Sequence, residues 1–186
     1  TDMNRSFGVE IPISLEEKIA AGLRKTISAN DVVIDVHNTR ATGTTCAITV
    51  CEPSELHLGL AHHFGFDRIV VMPPSGSLIS VCPDRAISLE IENNRRKEFS
   101  TGYLMARLKT MGSERVGKEK IEVYRYVSKV SRKTLERLGV DLSRITNFKK
   151  LPITILEKLD LEKGLDYYPI FFKRDEKEDA SFTLIT

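Results

Sequence analysis

A cluster of polar side chains that could bind a metal or transfer a proton follows a short apolar run. The run, residues 32–36, is rich in β-branched side chains, which predicts a strand buried on both faces of a parallel or mixed sheet. Its end is marked by Asp35, His37, Asn38 and Thr39. Because α/β sheets place their chemistry at the carboxyl ends of strands, we expect a metal ligand or a general base here.

Each of these residues also has a simpler interpretation. His37 could be a core histidine satisfied by one backbone hydrogen bond, and Asp35 could cap a turn. For an isolated histidine, that interpretation would be preferred. The crowding of several polar residues at the end of one buried strand favours a functional site instead.

A pair of carboxylates marks a second strand, at residues 86–92. The period of two along a strand places Glu90 and Glu92 on one face, with Leu89 and Ile91 on the other. Carboxylates in an apolar strand are costly to bury unless they have partners or a role. Both are therefore expected either to have buried partners or to take part in function.

The elements that would position these residues alternate between helices and strands. Further short apolar runs predict strands at residues 46–50, 68–72 and 78–82. Helices are expected from Ser14, from about Pro53 to Gly65, and from Phe99 to Gly112. We therefore expect a mixed, doubly wound α/β sheet flanked by helices over residues 1–115.

The first helix begins at a capping box formed by Ser14 and Glu17. Its apolar side chains recur at helical spacing and are predicted to face the core: Leu15, Ile19, Leu23 and Ile27. The second helix carries three histidines. His62 and His63 are adjacent and point about 100° apart, and the offset of His57 from His62 is no better for chelation. We expect all three to be surface or boundary residues and not ligands.

The pattern changes after a polar segment at residues 112–120. Residues 121–127 alternate with period two, which predicts a half-buried strand of an antiparallel sheet. We expect a helical turn or a loop at 131–138, short strands at 148–151 and 167–172, and a charged loop at 173–179. Residues 116–186 are therefore predicted to form a small β-rich C-terminal domain.

Composition narrows the class of protein. The chain has 186 residues, of which 41% are hydrophobic and 29% charged, as in an ordinary globular domain. The net charge of +2 gives no case for a nucleic-acid or membrane partner, and no apolar run approaches the ~20 residues of a membrane span. The odd count of three cysteines favours reduced thiols and a cytoplasmic protein: Cys46, Cys51 and Cys82.

Several motifs together resemble the aspartoacylase and succinylglutamate desuccinylase family. They are Asp-Met-Asn-Arg at residues 2–5, Asp-Val-His-Asn-Thr at 35–39 and Ser-Leu-Glu-Ile at 88–91. The segments at residues 121–125 and 168–171 look like parts of that family's β-rich C-terminal domain. The resemblance implies a zinc carboxypeptidase-like fold and a zinc-dependent hydrolase that cleaves the amide bond of a small-molecule N-acyl amino acid.

The resemblance also implies roles for single residues. His37 matches a zinc ligand, with one zinc expected per chain, and Glu90 matches the general base, for which Glu92 is a weaker candidate. The remaining matched residues would bind the substrate or orient the ligands. Asn4 and Arg5 would grip the substrate carboxylate, Asn38 and Thr39 would line the site, and Asp2 and Asp35 would orient the ligands.

One part of the family pattern is missing from this sequence. The family takes its other two zinc ligands from a G-x-H-G-x-E motif, and no H-x-x-E occurs here. The chain also begins with Thr, so we expect it to be processed or to lack its N-terminal zinc-binding segment. The alternative is a metal-free, inactive relative that binds a small carboxylate. The sequence leaves open whether the chains associate into a homo-oligomer.

Overall fold

The computed structural model describes residues 3–111, 120–173 and 181–186. The described helices are α1 (Leu15–Thr26), α2 (Glu55–His63), α3 (Thr101–Thr110), α4 (Arg132–Arg137) and α5 (Ile153–Lys158). The described strands are β1 (Val33–Thr39), β2 (Cys46–Thr49), β3 (Arg68–Val71), β4 (Ala86–Glu92), β5 (Glu122–Ser131), β6 (Tyr168–Ile170) and β7 (Ser181–Ile185).

The described strands form one seven-stranded sheet in the order β1-β4-β2-β3-β5-β7-β6. Strand β1 pairs with β4 in parallel, as do β2 with β3 and β3 with β5. Strand β2 is antiparallel to β4, and β7 is antiparallel to both β5 and β6. The sheet is therefore mixed and flanked by helices, which confirms the predicted fold class. The predicted domain boundary at residues 115 and 116 lies outside the described residues and stays a prediction.

The pairing of β1 with β4 brings the two polar motifs of the sequence together. The register aligns Asp35 with Ser88 and His37 with Glu90. Directly aligned residues of neighbouring strands project from the same face of a sheet. Parallel strands also end at the same edge, so both motifs lie at one end of the β1–β4 pair.

The two faces of the sheet are covered differently. On one face, helices α2 and α3 bury an apolar cluster that includes Leu60, Phe64, Ile87 and Leu89. On the other face lies a cluster that includes Cys46 and Ile48 of β2 and Ile79 of the 3₁₀ turn Leu78–Ser80. A third cluster packs α4 and α5 against β5 and β7. The polar ends of β1 and β4 lie on the face that carries Ile48.

Helix α1 differs from its prediction in one respect. Its capping box is present, because Ser14 Oγ accepts a hydrogen bond from the Glu17 amide and the Glu17 carboxylate accepts one from the Ser14 amide. Of the four predicted core residues, Ile27 is half-buried and packs against the cluster that includes Ile79, as expected. The other three are exposed: Leu15 by 69%, Ile19 by 44% and Leu23 by 43%. The prediction that these residues face the core was wrong, since helical spacing identifies an apolar face but not an element that covers it.

Other differences concern short segments. Residues 78–82 begin with the 3₁₀ turn Leu78–Ser80 and not with a strand, and residues 148–151 form no strand. Helix α5 and strand β7 were not anticipated. Of the helical turn or loop expected at 131–138, the structure has the helical form, as α4. The predicted charged loop at 173–179 lies outside the described residues apart from Lys173.

Candidate functional site

A cleft of about 710 Å³ opens at the carboxyl ends of β1 and β4. Its polar lining includes Asn4, Arg5, Asp35, His37, Asn38, Thr39, Ser88 and Glu90. The structure thus brings together every predicted site residue that it describes except Glu92. Asp2, which was predicted to orient the ligands, lies outside the described residues.

His37 is held by two polar side chains at the same ring nitrogen. Its Nε2 lies 2.7 Å from Asp35 Oδ2 and 3.2 Å from Asn4 Nδ2. The Asp35 contact requires a proton on Nε2, whereas a hydrogen bond from the Asn4 amide requires a lone pair there. Because a charged acceptor at the shorter distance forms the stronger bond, Asp35 determines the tautomer, and Nε2–H donates to Asp35.

Glu90 sits directly across from His37 in the β1–β4 pair and is half-buried. Burial raises the pKa of its carboxyl group, and the nearby Asp35 carboxylate raises it further. His37 and Arg5 act in the opposite direction and lower the pKa, yet the net change is upward. A carboxyl group with a raised pKa binds and releases a proton at a higher pH than an exposed glutamate, which suits a general acid–base residue.

Asn4 and Arg5 reach the cleft from a 3₁₀ turn, Met3–Arg5. The Arg5 guanidinium donates a hydrogen bond of 2.6 Å to Ser75 Oγ. Asn4 Oδ1 accepts one of 3.4 Å from the Leu78 amide. An exposed guanidinium beside a positioned amide is a suitable arrangement for a carboxylate ligand, because the guanidinium fork matches the two carboxylate oxygens.

Asn38 and Thr39, the last two residues of β1, line the cleft. Asn38 is exposed and can reach a ligand. Thr39 is buried, and its Oγ1 accepts a hydrogen bond of 3.2 Å from the Ala41 amide. Thr39 therefore shapes the turn that follows β1 in addition to lining the cleft.

Glu92 has a structural role. Its carboxylate is buried and accepts a hydrogen bond from the amide of Gly43, which has a φ of +74°. It does not line the cleft. The period-two alternation placed Glu90 and Glu92 on one face correctly, but the connection between β1 and β2 covers Glu92, so it is not a candidate for the general base.

Two of the three histidines of α2, His57 and His63, are also structural. His57 is fully buried; its Nδ1 accepts from the Ser54 amide and its Nε2 lies 3.0 Å from the Pro83 carbonyl oxygen. His63 is buried as well, with Nε2 at 2.7 Å from the Arg107 carbonyl oxygen. The prediction that they lie at the surface or boundary was wrong for these two, because their partners come from distant segments.

The described residues do not by themselves supply the full ligand set of a catalytic zinc ion. They contain no group of three or more His, Cys, Asp or Glu side chains that could hold a metal. A catalytic zinc site needs about three protein ligands, and His37 already pairs with Asp35. No reaction step of these residues is therefore assigned to a metal.

Some cleft residues were missed by the sequence analysis. Ser88 lines the cleft beside Asp35, and Arg40, Lys129 and Lys173 add positive charge to it. Ser88 precedes Glu90 by two positions, so the same alternation that identified Glu90 could have identified it. Lys129 lies on β5, and no local sequence pattern marks it as a cleft residue. Its proximity to the cleft depends on the order of the strands in the sheet.

Two further properties concern the cysteines and the helices. The three cysteines are free thiols. None of the helices in the described part of the chain is long and apolar enough to cross a membrane.

Solved structures share this fold. A succinylglutamate desuccinylase from Chromobacterium violaceum matches with a TM-score of 0.68 and 17% identity over 100% of this chain and 66% of its own length. Murine aminoacylase 3 matches with a TM-score of 0.62 and 18% identity over 99% of this chain and 76% of its own. A succinylglutamate desuccinylase/aspartoacylase from Rhodobacter sphaeroides matches with a TM-score of 0.50, 15% identity and coverages of 100% and 59%.

These similarities define the fold as that of desuccinylase and aminoacylase structures. The resemblance to the aspartoacylase and succinylglutamate desuccinylase family is thereby confirmed at the level of the fold. The chain spans about two thirds of the length of the Chromobacterium violaceum enzyme. No protein-family model and no curated protein matches the sequence.

Proposed function

We propose that the protein hydrolyses the amide bond of an N-acyl amino acid and releases a carboxylate and a free amino acid. The observation that carries this proposal is Glu90, a carboxyl group of raised pKa at the end of β4, in the same cleft as Arg5. The solved structures with this fold support it, since they bear the names of a desuccinylase and an aminoacylase.

Arg5 and Asn4 bind the α-carboxylate of the substrate. Ser75 orients the Arg5 guanidinium through its hydrogen bond, which leaves the other donors of the guanidinium fork available for two carboxylate oxygens. Arg40, Lys129 and Lys173 also line the cleft and favour an anionic ligand. Recognition of the carboxylate positions the amide bond of the substrate near Glu90.

Glu90 carries the proton during hydrolysis. It accepts a proton from the attacking water as the new carbon–oxygen bond forms, and it returns that proton to the amine nitrogen as the carbon–nitrogen bond breaks. Its raised pKa supports both steps, because the carboxyl group holds a proton more tightly than an exposed glutamate does. His37 as a zinc ligand, with one zinc per chain, remains a proposal from the sequence resemblance.

A second function is supported by a separate observation. The carboxylate-binding pair of Asn4 and Arg5 lines the cleft and needs no metal ion to bind a carboxylate. A metal-free protein of this kind would bind a small carboxylate without hydrolysing it. The two functions predict different results with the same set of ligands.

One experiment separates these functions. Amine release from a panel of N-acetyl amino acids is measured on the purified protein, together with zinc content and ligand-induced changes in Tm. The hydrolase predicts amine release that Glu90→Gln abolishes with metal content unchanged, whereas Glu157→Gln, at an exposed site on α5, retains activity. Full hydrolysis by Glu90→Gln would show that the general base is wrongly assigned.

The binding protein predicts another pattern. It releases no amine and contains no zinc, yet its Tm rises with N-acyl amino acids, and Arg5→Ala abolishes that rise. Arg96→Ala is the matched control, because Arg96 is exposed and lies outside the cleft lining. An unchanged Tm across the whole panel, without amine release, would contradict both functions.

A further inference from the structure

Ser88 carries a buried hydroxyl group that lacks a hydrogen-bond partner. The residue is 4% exposed, and its Oγ is the buried side-chain polar atom without a partner in the part of the chain that the structure describes. Other buried hydroxyls are satisfied: Thr44 Oγ1 donates to the Ala41 carbonyl oxygen, and Ser77 Oγ bonds Ser80 Oγ at 3.1 Å. Burial of an unpaired hydroxyl is unfavourable, so Ser88 needs an explanation.

The position of Ser88 places this hydroxyl on the cleft side of the sheet. In the register, Ser88 lies between Asp35 of β1 and Ile48 of β2, and all three line the cleft. Glu90 follows two residues later on the same face, about 7 Å along the strand. The Asp35 carboxylate is directed to His37 and makes no bond with Ser88. Because Oγ itself is buried, a ligand in the cleft supplies the missing partner once the Ser88 side chain rotates toward it.

The surroundings of Ser88 indicate which part of the ligand would form this hydrogen bond. The 3₁₀ turn Leu78–Ser80 packs against β1 and β4, and the amide of Leu78 donates to Asn4 Oδ1. The proposed carboxylate-binding pair and Ser88 thus flank the same turn. In an N-acyl amino acid, the groups nearest the α-carboxylate are the α-carbon and its side chain. Ile48 and Ile79 form apolar walls beside Ser88, so a side chain of moderate size is accommodated.

We propose that Ser88 determines specificity by forming a hydrogen bond with the side chain of the bound amino acid. The preferred ligand then has a side-chain hydroxyl or carbonyl oxygen, and an apolar side chain of the same size binds more weakly. A wholly apolar side chain would leave Ser88 unpaired, whereas a polar one satisfies it. This inference rests on the proposed binding of N-acyl amino acids in the cleft.

The test compares two ligands of equal size and charge. N-acetyl-threonine and N-acetyl-valine differ by a hydroxyl in place of a methyl group. Their Kd values are measured by calorimetry in the Glu90→Gln background, in which the ligands are not hydrolysed. We expect the protein to prefer the threonine ligand by about tenfold. Ser88→Ala should abolish the preference by weakening the threonine ligand. Thr44→Val, which removes a bonded buried hydroxyl outside the cleft lining, should keep it.

The Tm of the ligand-free protein gives a second test, because a serine with a purely structural role would respond differently to substitution. Ser88→Ala removes an unsatisfied hydroxyl and should raise the Tm by about 3 °C, whereas Thr44→Val removes a satisfied one and should lower it. A lower Tm for Ser88→Ala would reveal a structural partner and overturn the inference.

The binding outcomes separate this inference from the proposed function. Equal Kd values for the two ligands, or a preference that survives in Ser88→Ala, would overturn the role of Ser88 while binding of N-acyl amino acids stands. Binding of neither these ligands nor other N-acetyl amino acids would overturn both.

Discussion

Asp35 Oδ2 lies 2.7 Å from His37 Nε2, and both residues project from the same face of β1. The same ring nitrogen lies 3.2 Å from Asn4 Nδ2, so two partners with opposite requirements compete for it. The carboxylate prevails and fixes the proton on Nε2. The arrangement ties the end of β1 to the turn that carries Asn4 and Arg5.

Removal of the carboxylate should change the tautomer of His37. In Asp35→Ala, the lone pair of Nε2 becomes available to the Asn4 amide, and we expect the Nδ1–H tautomer to gain population. Long-range ¹H–¹⁵N spectra, recorded where the ring is neutral, distinguish the two tautomers. Asn4→Ala is the matched control and should retain the Nε2–H form. A parent protein already in the Nδ1–H form would contradict the role given to Asp35.

The stability contributed by Glu90 should depend on pH. Its pKa is raised from 4.5, first by burial and then by Asp35. The folded protein therefore binds this proton more tightly than the unfolded chain, so the associated stability is fully present below pH 4.5 and is lost as the pH rises through the raised pKa. Each unit of the shift corresponds to about 1.4 kcal/mol.

Glu90→Gln tests this linkage because glutamine stays neutral. The variant should have a higher Tm than the parent protein above the raised pKa. The difference should shrink as the pH falls through the raised pKa towards 4.5 and stay constant below it. Thermal unfolding at a series of pH values measures it. Glu157→Gln should show no such trend, since that side chain is exposed. A Tm difference independent of pH would argue against a raised pKa at Glu90.

The exposed stripe of α1 should tolerate polar substitution. We expect Ile19→Gln and Leu23→Gln to change the free energy of unfolding by less than about 0.5 kcal/mol, because neither side chain is buried. Leu135→Gln on α4 is the matched comparison; Leu135 is fully buried, and its loss should cost about 2–5 kcal/mol. Denaturant titration measures all three. A loss at Ile19 as large as that at Leu135 would show that the stripe is covered in solution.

The sequence predicts the local parts of the site and misses the parts that depend on distant contacts. Composition and period identified both β1 and β4, and alternation placed Glu90 on the face where the register aligns it with His37. The same alternation could not tell Glu90 from Glu92, because the Gly43 amide that binds Glu92 lies in another segment. Helical spacing in α1 likewise identified an apolar face but could not show whether another element covers it.

Long-range geometry explains the remaining omissions. Lys129 reaches the cleft only through the order of the sheet, and His57 is buried because the Pro83 carbonyl oxygen accepts from it across 26 positions of sequence. Strand β7 was missed since its apolar residues carry no distinct turn signal before them. Such contacts are set by tertiary packing, which single-sequence patterns do not encode.

Asn147 links two segments that border the cleft, and no sequence pattern pointed to it. Its Nδ2 donates to the Thr42 carbonyl oxygen at 2.8 Å and to that of Phe172 at 2.9 Å, while its Oδ1 accepts from the Phe172 amide at 2.8 Å. Thr42 follows the cleft-lining end of β1, and Phe172 precedes the cleft-lining Lys173. The side chain therefore holds two walls of the cleft together.

Replacement of Asn147 should be among the more destabilising polar substitutions. Asn147→Ala leaves buried backbone groups unpaired and should cost about 2–4 kcal/mol in denaturant unfolding. Asn147→Asp should cost at least as much near neutral pH, because a carboxylate cannot donate to the carbonyls of Thr42 and Phe172, and acidification should relieve part of that loss. Asn94→Ala, at an exposed site, should be nearly neutral. Equal stability of Asn147→Ala and Asn94→Ala would contradict the linking role, since only one of the two side chains bridges buried backbone groups.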